Sequence, residues 1–428
     1  MNSTKIAVLP VGEFDSDLTR HEFEGMVEVF NRLGSNLFIA EPVSGEEEAR
    51  RSVQVFLEKD PDLFLFIPLR GLSAQAMEAA GRMSQAPCLI WPVQGRFALP
   101  SSALAVGAMR ESNLPVELFY APADQPASIE RIRCIVRAAK AYTRIRRSRI
   151  GVIGGLFPNL VSCRYDPRTV TSRLGLSIIP ISFDEIRASR QATSLRLAEM
   201  QRSQQEMVRS YNVNAEDEPA LEAGIQLHLA LKQVAQEKQI DGFATECWSG
   251  FPRELGLNPC MGFVEDAYTL ACEGDVMLCA SLLLVRYLTG TGAYTGDLYD
   301  LDLDGNLTLV HCGAPASLAT SRSQVVLAKS QPALERGFET MTCRPRLEPG
   351  SVTLFRFYGR NCDEMHVGLG DLLESEPSPN LRVRVKISGD RWDFLSQVFG
   401  NHYVVAAGNL RNELRLLCRW LGIRMYET

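Results

Sequence analysis

At 428 residues the chain exceeds the size at which a single hydrophobic core stops growing, so two or three domains are expected. Apolar residues make up 46%, enough for complete folding, and a net charge of −6 with no cationic cluster beyond residues 144–149 argues against an extended nucleic-acid footprint. The eleven cysteines are scattered without CxxC pairs in a chain too large to need stapling, and so read as reduced thiols of a cytoplasmic protein.

The chain enters a strand at residues 5–10 almost at once, leaving no room for a charged leader and apolar signal core. Strand-like runs at 5–10, 36–40, 63–68 and 88–92 alternate with helical patterns at 19–33, 45–59 and 73–84, the signature of a parallel α/β sheet. Phe23, Met26, Val27 and Phe30 mark one apolar helix face. The strands are continuously apolar, as befits a sheet covered on both sides. A long helix is predicted over 128–143, and a boundary falls near 147.

A second α/β unit opens with the strand run Arg149 to Gly155. Its Gly154-Gly155 pair permits close approach to a phosphate, but no helix follows cleanly and no GK[ST] occurs, so a plain strand-to-loop turn is the better reading. Helical patterns cover 184–211 and 218–238, and a strand over 240–245 leads into Glu246-Cys247-Trp248. The apolar run 276–285 is halted by Arg286 and is too short for a membrane span. From about Gly290 the pattern changes to short strands at 298–303, 307–311, 324–328, 351–358 and 381–387, with a turn at Asp304-Gly305-Asn306 and a closing helix near 410–421. The expected fold is therefore α/β: two doubly wound α/β domains, 1–146 and 147–290, followed by a β-rich domain, 291–428.

Three loop-like contexts carry the chemistry: Cys272-Glu273-Gly274-Asp275, Thr295-Gly296-Asp297 and Gly400-Asn401-His402-Tyr403. Two carboxylates and an imidazole suit one hard divalent metal, Mn²⁺, Mg²⁺, Co²⁺ or Zn²⁺, and a metal with open positions can bind adjacent sugar oxygens. Each residue also has a plain structural reading. Asp275 fits the N-cap of the following helix, whereas Glu273 stands between apolar stretches and needs a partner if buried. Asp297 alone is an ordinary turn aspartate, His311 ends a strand, and His366 competes with them as a ligand. His21 and His228 sit in helical patterns. Cys247, Cys272 and Cys312 read as small packing residues.

The stretch from Ala271 to Val276, the Gly-Thr-Gly turn with Asp297 downstream, His311-Cys312-Gly313, the run Pro349 to Leu354 and the final Gly400-Asn401-His402 resemble the L-fucose isomerase / L-arabinose isomerase superfamily in order, and in the spacing of Glu273 from Asp297. The resemblance covers roughly residues 240–428. It implies Mn²⁺ held by Glu273, Asp297 and His402, with His311 as an additional metal-proximal histidine, and three domains with active sites near subunit contacts. A homo-oligomer, trimeric or hexameric, is the implied partner arrangement. The chain is shorter than typical members of either branch, so the resemblance does not name the sugar.

Aldose–ketose isomerisation through a cis-enediol is then the expected reaction, with Glu273 and Asp297 as the acid/base pair. Glu246, Trp248, Tyr294 and His311 are the expected substrate contacts, Trp248 by stacking on a sugar face. A non-catalytic sugar-binding or regulatory protein of the same fold, and a metal-dependent epimerase or rearrangement enzyme acting on a sugar acid, remain as alternatives.

Overall fold

The computed structural model describes residues 3–194, 197–213, 217–377 and 379–428. The chain divides into two compact units, Met1–Arg144 with Asn412–Gly422, and Ile145–Arg411 with Ile423–Thr428. Among the described residues no helix is long and apolar enough to cross a membrane.

The first unit is built on a parallel sheet of β1 (Lys5–Val11), β2 (Asn36–Ile39), β3 (Leu63–Pro68), β4 (Cys88–Ile90) and β5 (Val116–Leu118), in the order β2-β1-β3-β4-β5. Every residue of β3 is buried, which explains its uninterrupted apolar run. The helices expected between the strands are present at Asp17–Arg32, Glu46–Leu57 and Ala74–Met83. Ser16 caps the first by accepting from the Thr19 N–H at 3.3 Å. A further helix, Ala98–Glu111, was not anticipated. It buries Ala98, Ser101, Ser102 and Ala105 alongside Val106 and Met109, so it has no stripe of large apolar residues to betray it. The C-terminal helix Arg411–Leu421 belongs largely to this unit, where the Trp420 indole N–H donates to Glu117 at 3.2 Å and Arg137 pairs with Glu413 at 3.1 Å.

The second unit starts from β6 (Arg149–Ile153), β7 (Ser177–Ile181), β8 (Asn212–Val213), β9 (Gly242–Thr245) and β10 (Thr269–Ala271). Four of these form a parallel sheet in the order β10-β9-β6-β7. The pattern over 184–211 resolves into two helices, Phe183–Ser194 and Leu197–Ser210, and residues 195 and 196 lie outside the described ones. The helix Val276–Thr289 is buried almost all round, as its sequence requires.

The remaining strands are β11 (Tyr294–Leu301), β12 (Asn306–His311), β13 (Val325–Lys329), β14 (Met341–Pro345), β15 (Gly350–Tyr358), β16 (Glu364–Glu376), β17 (Leu381–Ile387), β18 (His402–Ala407) and β19 (Arg424–Glu427). Seven pair in the order β15-β18-β11-β12-β17-β16-β19, and an additional β15–β16 pairing closes six of them into a barrel-like ring. A core of Leu307, Leu309, Leu354, Val383, Val385 and Tyr403 fills it. The architecture is thus mixed α/β, with parallel sheets and a β-rich C-terminal region. The Asp-Gly-Asn turn joins β11 to β12, Gly305 taking φ +79° while Asp302 accepts from the Asn306 N–H at 2.9 Å.

Candidate active site

The first wall of the site is a tight turn beyond the carboxyl ends of the parallel strands, where open α/β sheets characteristically place their ligands. After β10 the chain passes through Glu273 at φ +59° and Gly274 at φ +75° before Asp275 caps the helix Val276–Thr289, accepting from the Leu278 N–H at 3.0 Å. A left-handed glutamate is costly and must be held in place. The Glu273 carbonyl accepts from the Phe157 N–H at 2.8 Å, and the Gly274 N–H donates to Thr245 at 2.8 Å. A Cβ on Gly274 would lie 1.7 Å from the Gly155 carbonyl oxygen, so only glycine permits this approach. The Gly154-Gly155 pair is therefore a turn packed against the Glu273 turn.

The second wall comes from the barrel. Asp297 and His402 are direct cross-strand partners in the antiparallel β11–β18 pair, and Asp297 also faces Val310, the neighbour of His311, across β11–β12. Both residues lie in strands and not in the loops expected for them. Adjacent glycine and asparagine gave a turn signal that the sheet overrides. Strand pairing, not chain proximity, brings these side chains together.

His402 Nε2 lies 3.5 Å from Asp297 Oδ1 and 3.9 Å from Glu273 Oε2. One ligand atom from each of Asp297, His311 and His402 lies within 4.8 Å of the other two. On its other side, His402 Nδ1 meets Asp275 Oδ2 at 3.2 Å, and Asp275 Oδ2 is held by Arg356 Nη2 at 2.8 Å. His402, Asp275 and Arg356 are all fully buried. Asp275 is thus both the helix cap and the carboxylate that aims the His402 ring, the second role being beyond the reach of a capping argument. Arg356 was missed; its signal was a lone cation in the apolar strand β15, which demands a buried anion.

Burial pushes the Glu273 carboxyl above its usual range, with Asp297 and Asp275 adding to the rise while His402 opposes it. Burial would also raise Asp275, but the Arg356 charge and the bond to His402 carry it well below the ordinary carboxylate range. For His402, burial favours the neutral ring, yet the bond to Asp275 outweighs it and lifts the imidazole to about 10. Burial lowers His311. The site therefore pairs a carboxyl shifted upward with one shifted downward only two residues away.

These residues fit a divalent metal. His402 Nε2 and His311 Nδ1 are buried without a hydrogen-bond partner, and two carboxylates stand beside the first of them. An orphaned buried nitrogen with its other ring nitrogen fixed by a carboxylate is the arrangement of a metal-binding histidine. A cation at Nε2 would take the place of the proton that the surrounding carboxylates favour there.

The other expected residues are distributed unevenly. Trp248, Glu273, Asp297, His311 and Cys312 line one cavity of about 150 Å³. Glu246 is buried and accepts from the Ser249 N–H at 2.9 Å and the Ser249 hydroxyl at 2.9 Å, holding the turn before Gly250–Leu255. Tyr294 is a core residue whose hydroxyl donates to the Leu381 carbonyl at 3.1 Å. His366 has both nitrogens engaged, by Tyr403 at 2.6 Å and Thr428 at 3.0 Å, and stands apart from the cluster. The Cys247 hydrogen bond, with burial, raises the Cys272 thiol, and burial pushes Cys312 up to about 12, so both stay protonated. Sequence reasoning did not find Arg336, Asn258 and Asn380, which line the same cavity.

No family model matches the chain. Among curated proteins, the sulfoquinovose isomerase of Priestia aryabhattai is 23% identical over 99% of both chains. That of Alkalicoccus urumqiensis is 22% identical over 86% of both, and that of Clostridium sp. (strain MSTE9) 22% over 100% of both. A crystal structure of a conserved domain protein from Vibrio cholerae covers 57% of this chain at 14% identity with a TM-score of 0.22, too slight a likeness to bear on the fold. Four relatives bearing the name of an isomerase support the expectation of an enzyme over that of a non-catalytic binding protein.

Proposed function

We propose that the protein is a divalent-metal-dependent aldose–ketose isomerase of the fucose and arabinose isomerase type, acting through a cis-enediol on a sugar with an acidic group. The observation carrying this reading is the convergence of Glu273 and Asp297, which line one cavity with His311, on the unpartnered Nε2 of buried His402. The relatives' name, sulfoquinovose isomerase, supplies the acidic sugar, a sulfonated hexose.

Glu273, Asp297 and His402 would hold the metal, with His311 beside them, and Mn²⁺ is the ion implied by the resemblance. When bound, such an ion polarises a carbonyl and stabilises negative charge on adjacent sugar oxygens. The chain's own groups move the protons. For an aldose, one carboxylate removes the proton at C2 and the conjugate acid returns it to C1, while the hydroxyl proton passes from O2 to O1. The raised affinity of Glu273 for a proton suits it to this shuttle, because a base is most effective near the working pH. Asp275 and Arg356, paired with each other, keep His402 Nε2 turned towards Glu273 and Asp297.

Free thiols at all the described cysteines support the cytoplasm as the compartment. A homo-oligomer, trimeric or hexameric, is the proposed assembly, and sedimentation of the active protein tests it. The functional test is incubation of the Mn²⁺-loaded protein with sulfoquinovose and a panel of neutral aldoses in deuterated water, read by NMR. The expected product is the 2-ketose with deuterium at C1. A product epimeric at C2 with no ketose would replace the isomerase by an epimerase.

A further inference from the structure

The cavity lined by Glu273, Asp297 and His311 also carries a cation. Arg336 is the only lysine or arginine lining it among the described residues. The Arg336 guanidinium carbon sits 4.3 Å from the centre of the Trp248 ring and 5.2 Å from that of Phe338. Trp248 is braced in turn by Phe157, with ring centroids 5.9 Å apart. Phe157 is the residue whose N–H holds the Glu273 turn. The aromatic platform is therefore tied to the same loop as the carboxylate, and a cation over it has an attraction of its own to keep it there.

Among the described residues no carboxylate lies within ion-pairing distance of Arg336, although the protein pairs many of its other surface arginines. Two further features mark the cavity as built to receive a polar ligand. Asn258 and Asn380 line it, and their side-chain amide oxygens are buried without hydrogen-bond partners. Asn258 is 6% exposed. Buried acceptors left unmade are costly, and hydroxyl donors from a sugar would satisfy them.

We propose that Arg336, held on Trp248, is a specificity-determining subsite for the anionic group of the substrate, a sulfonate or another tetrahedral oxyanion. The proposal rests on the sugar isomerase reading of the same cavity. Arg336 attracts an anionic group to its own position in the cavity and so sets the orientation of the sugar. The sugar carbons that exchange protons face the carboxylates, and the acidic end lies over the Trp248 platform. A planar fork of N–H donors matches an oxyanion better than a lysine ammonium does.

The test compares the wild-type protein with Arg336→Gln and Arg336→Lys, all loaded with Mn²⁺. Binding of sulfoquinovose, glucose 6-phosphate, glucuronate and glucose is measured by calorimetry, and turnover is measured in the same preparations. Arg336 is exposed, so neither substitution disturbs the core. The expected result is that R336Q weakens binding of sulfoquinovose by at least tenfold while its affinity for glucose changes less than twofold, and that R336K falls between. A matching loss for glucose 6-phosphate identifies a general tetrahedral-oxyanion subsite; loss for sulfoquinovose alone identifies a sulfonate subsite. Equal affinity of the wild type for sulfoquinovose and glucose, or an R336Q variant that loses both alike, overturns the proposal. Charge-selective binding without turnover would reject the isomerase reading and leave the subsite standing. Turnover without charge selectivity would do the reverse.

Discussion

Two regions of the seven-stranded sheet each bury a histidine completely, and their neighbours give those histidines opposite characters. His366 on β16 meets the Tyr403 hydroxyl at one nitrogen and the Thr428 hydroxyl at the other, beside the Phe394 ring. Burial then pulls it down to about 4, and the ring is neutral. His402 on β18 meets a carboxylate at Nδ1, has nothing bonded at Nε2, and is lifted to about 10. Burial alone therefore does not mark a functional histidine. A buried imidazole with both nitrogens answered is architecture; one aimed by a carboxylate, with its far nitrogen left facing two more, is a site.

The largest effect that would test this contrast is on activity. Glu273→Gln keeps the size of the side chain and removes its proton chemistry, so kcat should fall by about 10³-fold, within the range for a lost general acid–base group. Thermal stability should hold or rise slightly, because a neutral amide replaces a carboxyl that burial disfavours in its charged form. Isomerisation within tenfold of wild type, measured on the metal-loaded variant, would remove Glu273 from the chemistry and weaken the distinction between the two regions.

A smaller effect is expected from Asp275→Asn. An asparagine still caps the helix, but Arg356 is left as a buried unpaired charge, which should lower stability by about 3 kcal/mol in denaturant unfolding. With its orienting carboxylate gone, His402 should also lose about 10-fold to 100-fold in Mn²⁺ affinity. Adding Arg356→Met separates the two roles: stability should recover while metal affinity stays low. Recovery of both together would show that Asp275 serves only to neutralise Arg356.

How far these regions could be read from sequence follows from the distances over which their residues act. Glu273 and Asp275 were legible because a turn and a helix cap are local events. Glu246 was legible as a polar residue after a strand, but its bonds to Ser249 show it spending both oxygens on its own turn. Asp297 and His402 could be named but not placed, because their meeting depends on the register of β11 against β18. β16 was not foreseen: Gly368 and Gly370 interrupt its alternation, and Gly370 is there because a Cβ would lie 2.5 Å from the Lys386 carbonyl oxygen. Arg336 lies far along the chain from Trp248, and no local pattern links them.

The smallest effect, and the sharpest on the contrast between the histidines, is the pH dependence attached to His366. Its folded value of about 4 lies below the 6.5 of a free imidazole. Between these two values the unfolded chain binds more protons than the folded one, so stability rises with pH through this window. The neutral histidine's contribution is fully present above about pH 6.5 and is lost as pH falls towards 4, an amount on the order of 3 kcal/mol. His366→Gln retains a donor and an acceptor for Tyr403 and Thr428 but cannot titrate. Other acids shape the wild-type curve, so the informative quantity is the difference between wild type and variant, measured by urea unfolding at pH 7, 6, 5 and 4. That difference should shift by about 3 kcal/mol in favour of the variant on going from pH 7 to pH 4. A difference that stays constant over the range would mean that His366 gains its proton as easily folded as unfolded. Its hydroxyl partners would then not be holding it neutral, and the physical contrast with His402 would fail on the structural side.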